Sequence, residues 1–457
     1  MTRSSSIRCL ILAVCFLSPA GLGLLCPPPG PQPPGNSGLT GKYIGSERCS
    51  QCHANTHTSW LATLHSGALA TLEEMGQGEN AECLGCHTVG FGESGGFVNR
   101  ATTDALAGVG CESCHGPGRD HVENVADINL RPPVNIASSV CGRCHTGANH
   151  PTFEQWQQSG HALVTESLAS SFAQGNQLSS CGTCHSGDYR FLAIQEGQSV
   201  PADLLSGKSR EEMNAVACAT CHDPHGRTGN APFADSGRDY QLRYPEVAYP
   251  TATNTLAATT DPTRFNICGQ CHHSRGNTWQ DTSRPPHHSV QSNVYVGEMP
   301  VPDGTQPLTL SVNSPHALVR EQCSSCHMYR QDFMSEIAPA ISGHTFEVNF
   351  AGCVASGCHP AAENAQALAA TLRSSVQALL DDVKTRLGDP ATWEYSCCGG
   401  PADGQPIAGT ADERDTLKKV RFLYYYALYD GSYGVHNPGY TRNMLLTAQG
   451  LLTSIGR

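Results

Sequence analysis

Cys49-Ser-Gln-Cys52-His53 is a C-x-x-C-H pentapeptide, and the chain repeats the pattern. Further copies stand at Cys83/Cys86/His87, Cys111/Cys114/His115, Cys141/Cys144/His145 and Cys181/Cys184/His185. Three more are Cys218/Cys221/His222, Cys268/Cys271/His272 and Cys323/Cys326/His327. A ninth site, Cys353-Val-Ala-Ser-Gly-Cys358-His359, has two extra residues between its cysteines. Two thiols three residues apart, followed at once by an imidazole, form the attachment signature of c-type haem. The thiols, such as those of Cys49 and Cys52, reach the two vinyl groups on one haem edge, and the histidine is held under the iron. A single such pentapeptide would also suit zinc or a disulfide. Zinc sites, however, have no need of an adjacent histidine every time, and eight in-phase copies argue against both. In the ninth site Gly357 lets the longer loop bulge outward and keep both sulfurs in place.

Composition points the same way. The chain has 457 residues, of which 39% are hydrophobic and 15% charged. Both shares lie below the usual values of about 45–50% and about 25% for globular domains. With 47 Gly and 29 Pro, much of the backbone must be turn and coil. Free thiols at the density of 23 cysteines would be unstable in an oxidising compartment and odd in the cytosol. Haem takes the place of the missing apolar side chains. The net charge of −12 excludes nucleic acid as a partner, since nothing basic is available to neutralise phosphates. Motif starts are 34, 28, 30, 40, 37, 50, 55 and 30 residues apart. No strict period emerges, which argues against a solenoid.

The chain start reads as an export signal. Arg3 and Arg8 precede an apolar run from Cys9 to Phe16, followed by Pro19. The run is short against the ~20 apolar residues of a membrane span. Residues 1–25 are therefore assigned as signal peptide. Residues 26–41, CPPPGPQPPGNSGLTG, form a stiff solvated linker. Cys26 leaves two readings open, a lipid anchor or an unmodified mature N-terminus; membrane contact is expected only through such an anchor. Cys397-Cys398, followed by Gly-Gly-Pro, is no haem site and leaves vicinal disulfide, free thiols and intermolecular bridge all open.

Axial ligands can be counted. Nine histidines are proximal: His53, His87, His115, His145, His185, His222, His272, His327 and His359. Twelve remain, so each of nine irons can take a second imidazole with three to spare. Lone histidines are ordinarily surface or hydrogen-bonded residues, so setting matters. His225 lies in Cys-His-Asp-Pro-His-Gly, and His121 follows a Gly-Pro-Gly turn. His65, His161 and His316 lack a charged neighbour. Distal candidates are these five with His288, His344, His436, His57 and His150; His273 and His287 are the spares. Methionine is scarce, and an all-histidine supply predicts a low-potential chain.

The stretch Lys42-Tyr-Ile-Gly-Ser-Glu-Arg-Cys-Ser-Gln-Cys-His53, with Ser59-Trp60 and Leu64-His65-Ser66, resembles the tetrahaem cytochrome c554 family. The resemblance continues through Cys83–His87 and Gly110-Cys-Glu-Ser-Cys-His-Gly-Pro-Gly118 to His121. It implies that His65 and His121 cap haems other than their own. Gln155-Trp156, Ser159-Gly-His161 and Cys218-Ala-Thr-Cys-His-Asp-Pro-His225 look like larger multihaem cytochromes c. Near the end, Leu368, Leu372, Val376, Leu379, Leu380, Val383 and Leu387 follow helical steps. Leu417, Val420, Leu423, Tyr424, Ala427 and Leu428 mark a second helix, and Met444–Ile455 a third. Late helices with an His436-Asn-Pro segment resemble pentahaem nitrite reductases and octahaem hydroxylamine oxidoreductases. The C-x-x-C-K motif of the nitrite reductase catalytic haem is absent.

These readings predict a mainly α, coil-rich fold organised around a chain of covalently bound haems. Residues 42–125 form a cytochrome c554-like module, 126–360 a further haem-binding region and 361–457 a C-terminal helical region. The function predicted is extracytoplasmic electron transfer through nine haems c, without a catalytic residue. The alternative is a reductase or oxidoreductase of a small nitrogen or sulfur compound at one open haem, near Tyr424–Tyr426, Arg421 or His436. Expected partners are redox proteins or extracellular electron acceptors, with self-association into an oligomer or filament as a further expectation. The expected location is periplasmic, outer-surface or extracellular.

Overall fold

The computed structural model describes residues 39–226, 240–243, 267–275, 278–281, 283–297, 314–319, 322–397 and 400–457. Residues 1–25, expected to form a signal peptide, and nearly all of the Pro-rich linker lie outside this set. Among the described residues the regular structure is helical, and β structure is confined to isolated bridges such as Thr88 with Ala107.

Most helices before residue 360 are single turns, and the haem motifs account for many of them. His53 N donates to Cys49 O (3.0 Å), His145 N to Cys141 O (3.0 Å), His222 N to Cys218 O (2.9 Å) and His272 N to Cys268 O (2.9 Å). One α-turn puts positions i, i+3 and i+4 on one side, so both thiols and the imidazole project together. Such short helices are not stable by themselves. Two small apolar clusters support them. One gathers Leu69, Leu72, Leu84, Val89, Phe97 and Leu106 around helix α1 (Ala68–Glu74). The other gathers Val164, Phe172, Leu178, Leu205 and Met213 around helix α2 (Glu166–Ala173).

Residues beyond 360 fold differently. Helix α3 (Ala362–Leu387) is 26 residues long, α4 (Ala411–Tyr429) 19 and α5 (Pro438–Ser454) 17. The starts of α4 and α5 carry local signals. Thr410 and Glu413 make a capping box: Glu413 N donates to Thr410 Oγ1 (3.3 Å) and Thr410 N to Glu413 Oε2 (2.7 Å). Asn437 Oδ1 accepts from Tyr440 N (3.2 Å), with Pro438 at the first helical position. The buried stripe of α3 is Ala365, Val376, Leu380, Val383 and Leu387. Leu368, expected on that stripe, is 61% exposed, because the N-terminal half of α3 projects beyond the core. Leu417, Val420, Leu423 and Ala427 of α4 meet Met444, Leu445, Ala448 and Leu452 of α5 in one buried cluster. Among the described residues no helix is long and apolar enough to cross a membrane.

Candidate haem-binding sites

The structure sets histidines face to face. Ring centroids are 6.2 Å apart for His65 and His145, 6.0 Å for His115 and His225, and 6.1 Å for His161 and His272. The separation is 6.0 Å for His185 and His288, 6.2 Å for His222 and His344, 6.2 Å for His327 and His436, and 6.5 Å for His316 and His359. Metal–imidazole bonds of about 2.0–2.1 Å, with a ring radius of about 1.1 Å, put two centroids on one metal about 6.2–6.4 Å apart. All seven pairs therefore lie within about 0.2 Å of the spacing that a shared iron requires. Two further pairs are close enough to interact electrostatically. Burial, and after it His53, pushes the pKa of His121 down; burial and then His87 act likewise on His150. Seven of the nine proximal imidazoles thus have an opposed histidine near that spacing.

The tautomers suit ligation. His87 Nδ1 bonds Ala68 O (2.9 Å), His115 Nδ1 bonds Pro133 O (2.9 Å) and His327 Nδ1 bonds Phe346 O (2.8 Å). On the opposite side His316 Nδ1 bonds Val435 O (2.8 Å), and His436 Nδ1 bonds the buried carboxylate of Asp430 (2.6 Å). A carbonyl only accepts, so Nδ1 carries the proton and Nε2 keeps its lone pair for a metal. Burial pushes His145, His161, His185 and His344 down to about 4, which keeps these rings neutral. Neutral imidazole is the ligating form.

The remaining three histidines include one beside a site, since a ring nitrogen of His287 lies within 4.8 Å of those of His185 and His288. His57, carried as a tenth candidate, is packed 5.4 Å from the Trp60 ring, with Nε2 3.6 Å from Glu47. Its helix points it at that pair rather than at a proximal imidazole. His273 is fully buried, and His287 stacks 4.3 Å from His288. Cys397 is disulfide-bonded; Cys398 lies outside the described residues.

Thiols of different sites meet in pairs. First cysteines touch in Cys49 with Cys111, Cys141 with Cys218 and Cys268 with Cys323. Second cysteines touch in Cys86 with Cys144 and Cys184 with Cys271. Cys326 meets Cys353 of the ninth site. In that site a short helix ends at Ala355, and Gly357 takes φ +74°, turning the chain so that His359 faces His316.

The first site differs from most others in its second cysteine. Cys52, read as one of its two thioether anchors, is exposed, as are Cys114 and Cys358, whereas Cys49 is half-buried. The turn that carries Cys52 lies at the surface between exposed Gln51 and His53. Cys52 N still donates to Cys49 O (3.2 Å), so the turn holds the two cysteines at the motif's spacing.

Two roles escaped the motif reading. Glu112, between the cysteines of the third site, is buried and accepts from Ile44 N (3.0 Å), Gly45 N (2.9 Å) and Gly118 N (2.8 Å). It ties the incoming chain and the following turn to that site. The loop before α5, which carries the candidate His436, also holds His316 through Val435 O.

This donor set, pairs of thiols beside opposed neutral imidazoles, fits haem c at each site. Family comparison agrees. Residues 48–116 match the model for cytochrome c554 and c-prime, and residues 162–275 match that for cytochrome c552. The chain is homologous to multihaem c-type cytochromes. Cytochrome c-554 of Nitrosomonas europaea is 37% identical over 93 residues, covering 17% of this chain and 40% of the relative. C-type polyheme cytochrome OmcC of Geobacter sulfurreducens is 26% identical over 184 residues, covering 36% and 22%. The chain thus spans less than half the length of these relatives. Two solved structures share its fold. The outer cell wall cytochrome OcwA superposes with TM-score 0.58 at 18% identity, over 90% of this chain and 100% of that one. The undecaheme cytochrome from the S-layer of Carboxydothermus ferrireducens gives 0.53 at 19% identity, over 91% and 70%. Both family matches end before α3, where the likeness to nitrite and hydroxylamine enzymes had been noted.

Proposed function

We propose that this chain carries electrons outside the cytoplasm through nine c-type haems, each held between two histidines. The observation behind this reading is the set of seven opposed imidazole pairs, to which we add His121 for His53 and His150 for His87. The pairs are His53/His121, His87/His150, His115/His225, His145/His65, His185/His288, His222/His344, His272/His161, His327/His436 and His359/His316. Bound there, haem supplies a one-electron iron couple. The chain's own residues fix everything else. Backbone carbonyls orient several of the rings, burial keeps His145, His161, His185 and His344 neutral, and an imidazole on each face would leave no coordination position for a substrate. Double imidazole ligation favours low potential relative to methionine ligation. His436, bonded to Asp430, is the most electron-rich ligand of the set.

The meeting thiols support an order for the sites. Numbered along the chain, contacts join 1 to 3, 4 to 6, 7 to 8 and 8 to 9. Cys114 lies beside Cys141 and Cys144, linking 3 to 4, and Cys221 beside Cys271, linking 6 to 7. Sites 2 and 5 branch from 4 and 7. Redox proteins or extracellular acceptors would exchange electrons at the ends of this line or at its branches. Exposed Cys52 and Cys358 belong to the two end sites, 1 and 9, which suits exchange there. The names of the structural neighbours, from an outer cell wall and an S-layer, favour a surface location for this chain too.

Haem stoichiometry tests the reading. Denatured holoprotein should exceed its processed polypeptide by nine haem masses, and the reduced protein should not bind carbon monoxide. Eight haems would remove the Cys353/Cys358 site; stoichiometric carbon monoxide binding would favour a reductase with an open iron.

A further inference from the structure

The uneven motif spacing conceals a repeat. Two stretches, 46–115 and 138–222, make the same set of contacts although their lengths differ. Cys111 N donates to Ser46 Oγ (3.1 Å), and Cys218 N donates to Ser138 Oγ (3.1 Å). Both serines stand three residues before the first cysteine of their stretch, Cys49 and Cys141. The indole of Trp60 donates to Val109 O (3.0 Å), and that of Trp156 to Val216 O (2.9 Å). Val109 N returns a bond to His65 O (2.9 Å), and Val216 N one to His161 O (3.1 Å). Both histidines lie five residues after their tryptophan, and both valines two residues before a cysteine. The exit contacts match as well. Cys86 Sγ lies 3.8 Å from Arg143 O, the carbonyl preceding Cys144. Cys184 Sγ lies 4.0 Å from Gln270 O, the carbonyl preceding Cys271. Each stretch also rests on its own apolar cluster, around α1 and α2 respectively.

So many corresponding features at matching places are not what independent site-by-site packing would produce. We infer that the chain is built from tandem copies of one three-site module, interlocked because each copy supplies the distal histidine to the first site of the next. His65 of the first copy faces His145 of the second, and His161 of the second faces His272, which opens a third. The third copy is incomplete. Trp279 follows His272 by seven residues, as Trp60 follows His53, but five residues on stands Arg284 instead of histidine. Residues 360–457 hold no further C-x-x-C-H site, and the histidine that another copy would need is missing from the third.

The interlock assigns a positioning role to Trp60 and Trp156. Each indole pins the segment that holds its histidine turn by the backbone. Gly108, at φ +78°, lets that segment run against the turn: a Cβ there would lie 2.4 Å from Ser66 O. In the second copy Ala215 fills the place of Gly108, so this close approach belongs to the first copy.

This inference rests on the proposed histidine pairing, and its test separates the two. W60F and W156F keep an aromatic ring but remove the indole donor; the full haem-loaded chain is used, with haem content checked by mass. Each single variant should convert part of one low-spin haem to high-spin, and the double variant should affect two. Added imidazole should restore the low-spin signal, which it would not do for a general loss of stability. W393F, in the C-terminal core, should leave the spin state unchanged. If the wild type is fully low-spin but both tryptophan variants leave it so, the interlock is wrong while the pairing stands. An experimental structure of the holoprotein that places His65 on the haem of Cys49–His53 would also overturn it.

Discussion

Residues 39–359 and residues 362–457 stabilise themselves by different means. The C-terminal helices meet in a cluster of 20 buried side chains, two of them, Val290 and Val294, reaching in from the haem-binding part. The clusters beneath the first two modules hold seven each. The C-terminal part has long helices with caps and an apolar seam, as any small helical protein has. The earlier part has single turns, tied by side-chain-to-backbone bonds such as those of Ser46, Glu112 and Ser138. Its regular structure is too short to persist alone, so its order depends on the covalent cofactors.

The largest expected effect follows from this contrast. If residues 1–25 are the export signal proposed, chain made without them should stay in the cytoplasm and receive no haem. Hydrogen exchange on that apo-chain should find protection within α3, α4 and α5 and almost none across residues 42–359. Cofactor-coupled folding has this signature in metal-dependent domains. Uniform protection across the chain would erase the distinction between the regions.

A smaller effect sharpens it from the other side. Leu423 is fully buried at the centre of the C-terminal seam. Leu423→Ala should destabilise that region by about 2–5 kcal/mol, measured by denaturant unfolding followed by far-ultraviolet circular dichroism. The haem absorption bands should not shift, since Leu423 lies in the side-chain seam. A change in haem spin state would show that the two regions are not separable in this way.

The sequence made the contents of each region legible to different depths. C-x-x-C-H is a local signal, one turn long, so eight proximal histidines could be proposed directly, and His359 by its longer variant. The exposure of Cys52 could not, because it depends on where that turn sits on the finished surface. The three late helices were legible because their apolar residues recur at helical spacing. His436 could be listed as a candidate, but its partner could not, because only the fold brings it to face His327. Pairing of distal histidines is long-range: His65 and His145 are 80 residues apart in sequence, and only the fold brings them together. His57 shows the reverse side of this. It lies four residues from His53, a reasonable ligand by proximity, yet its helix turns it towards Trp60 and Glu47. The tandem repeat escaped for a related reason. Insertions between equivalent motifs vary in length, so equivalent contacts carry no constant offset.

The central claim is that every iron sits between two imidazoles. Spin quantitation by low-temperature electron paramagnetic resonance of the oxidised holoprotein, set against total iron, tests it most directly. The account predicts nine ferric irons per chain, all low-spin, with no stoichiometric signal in the high-spin region. One full equivalent of high-spin iron in the wild type would contradict it.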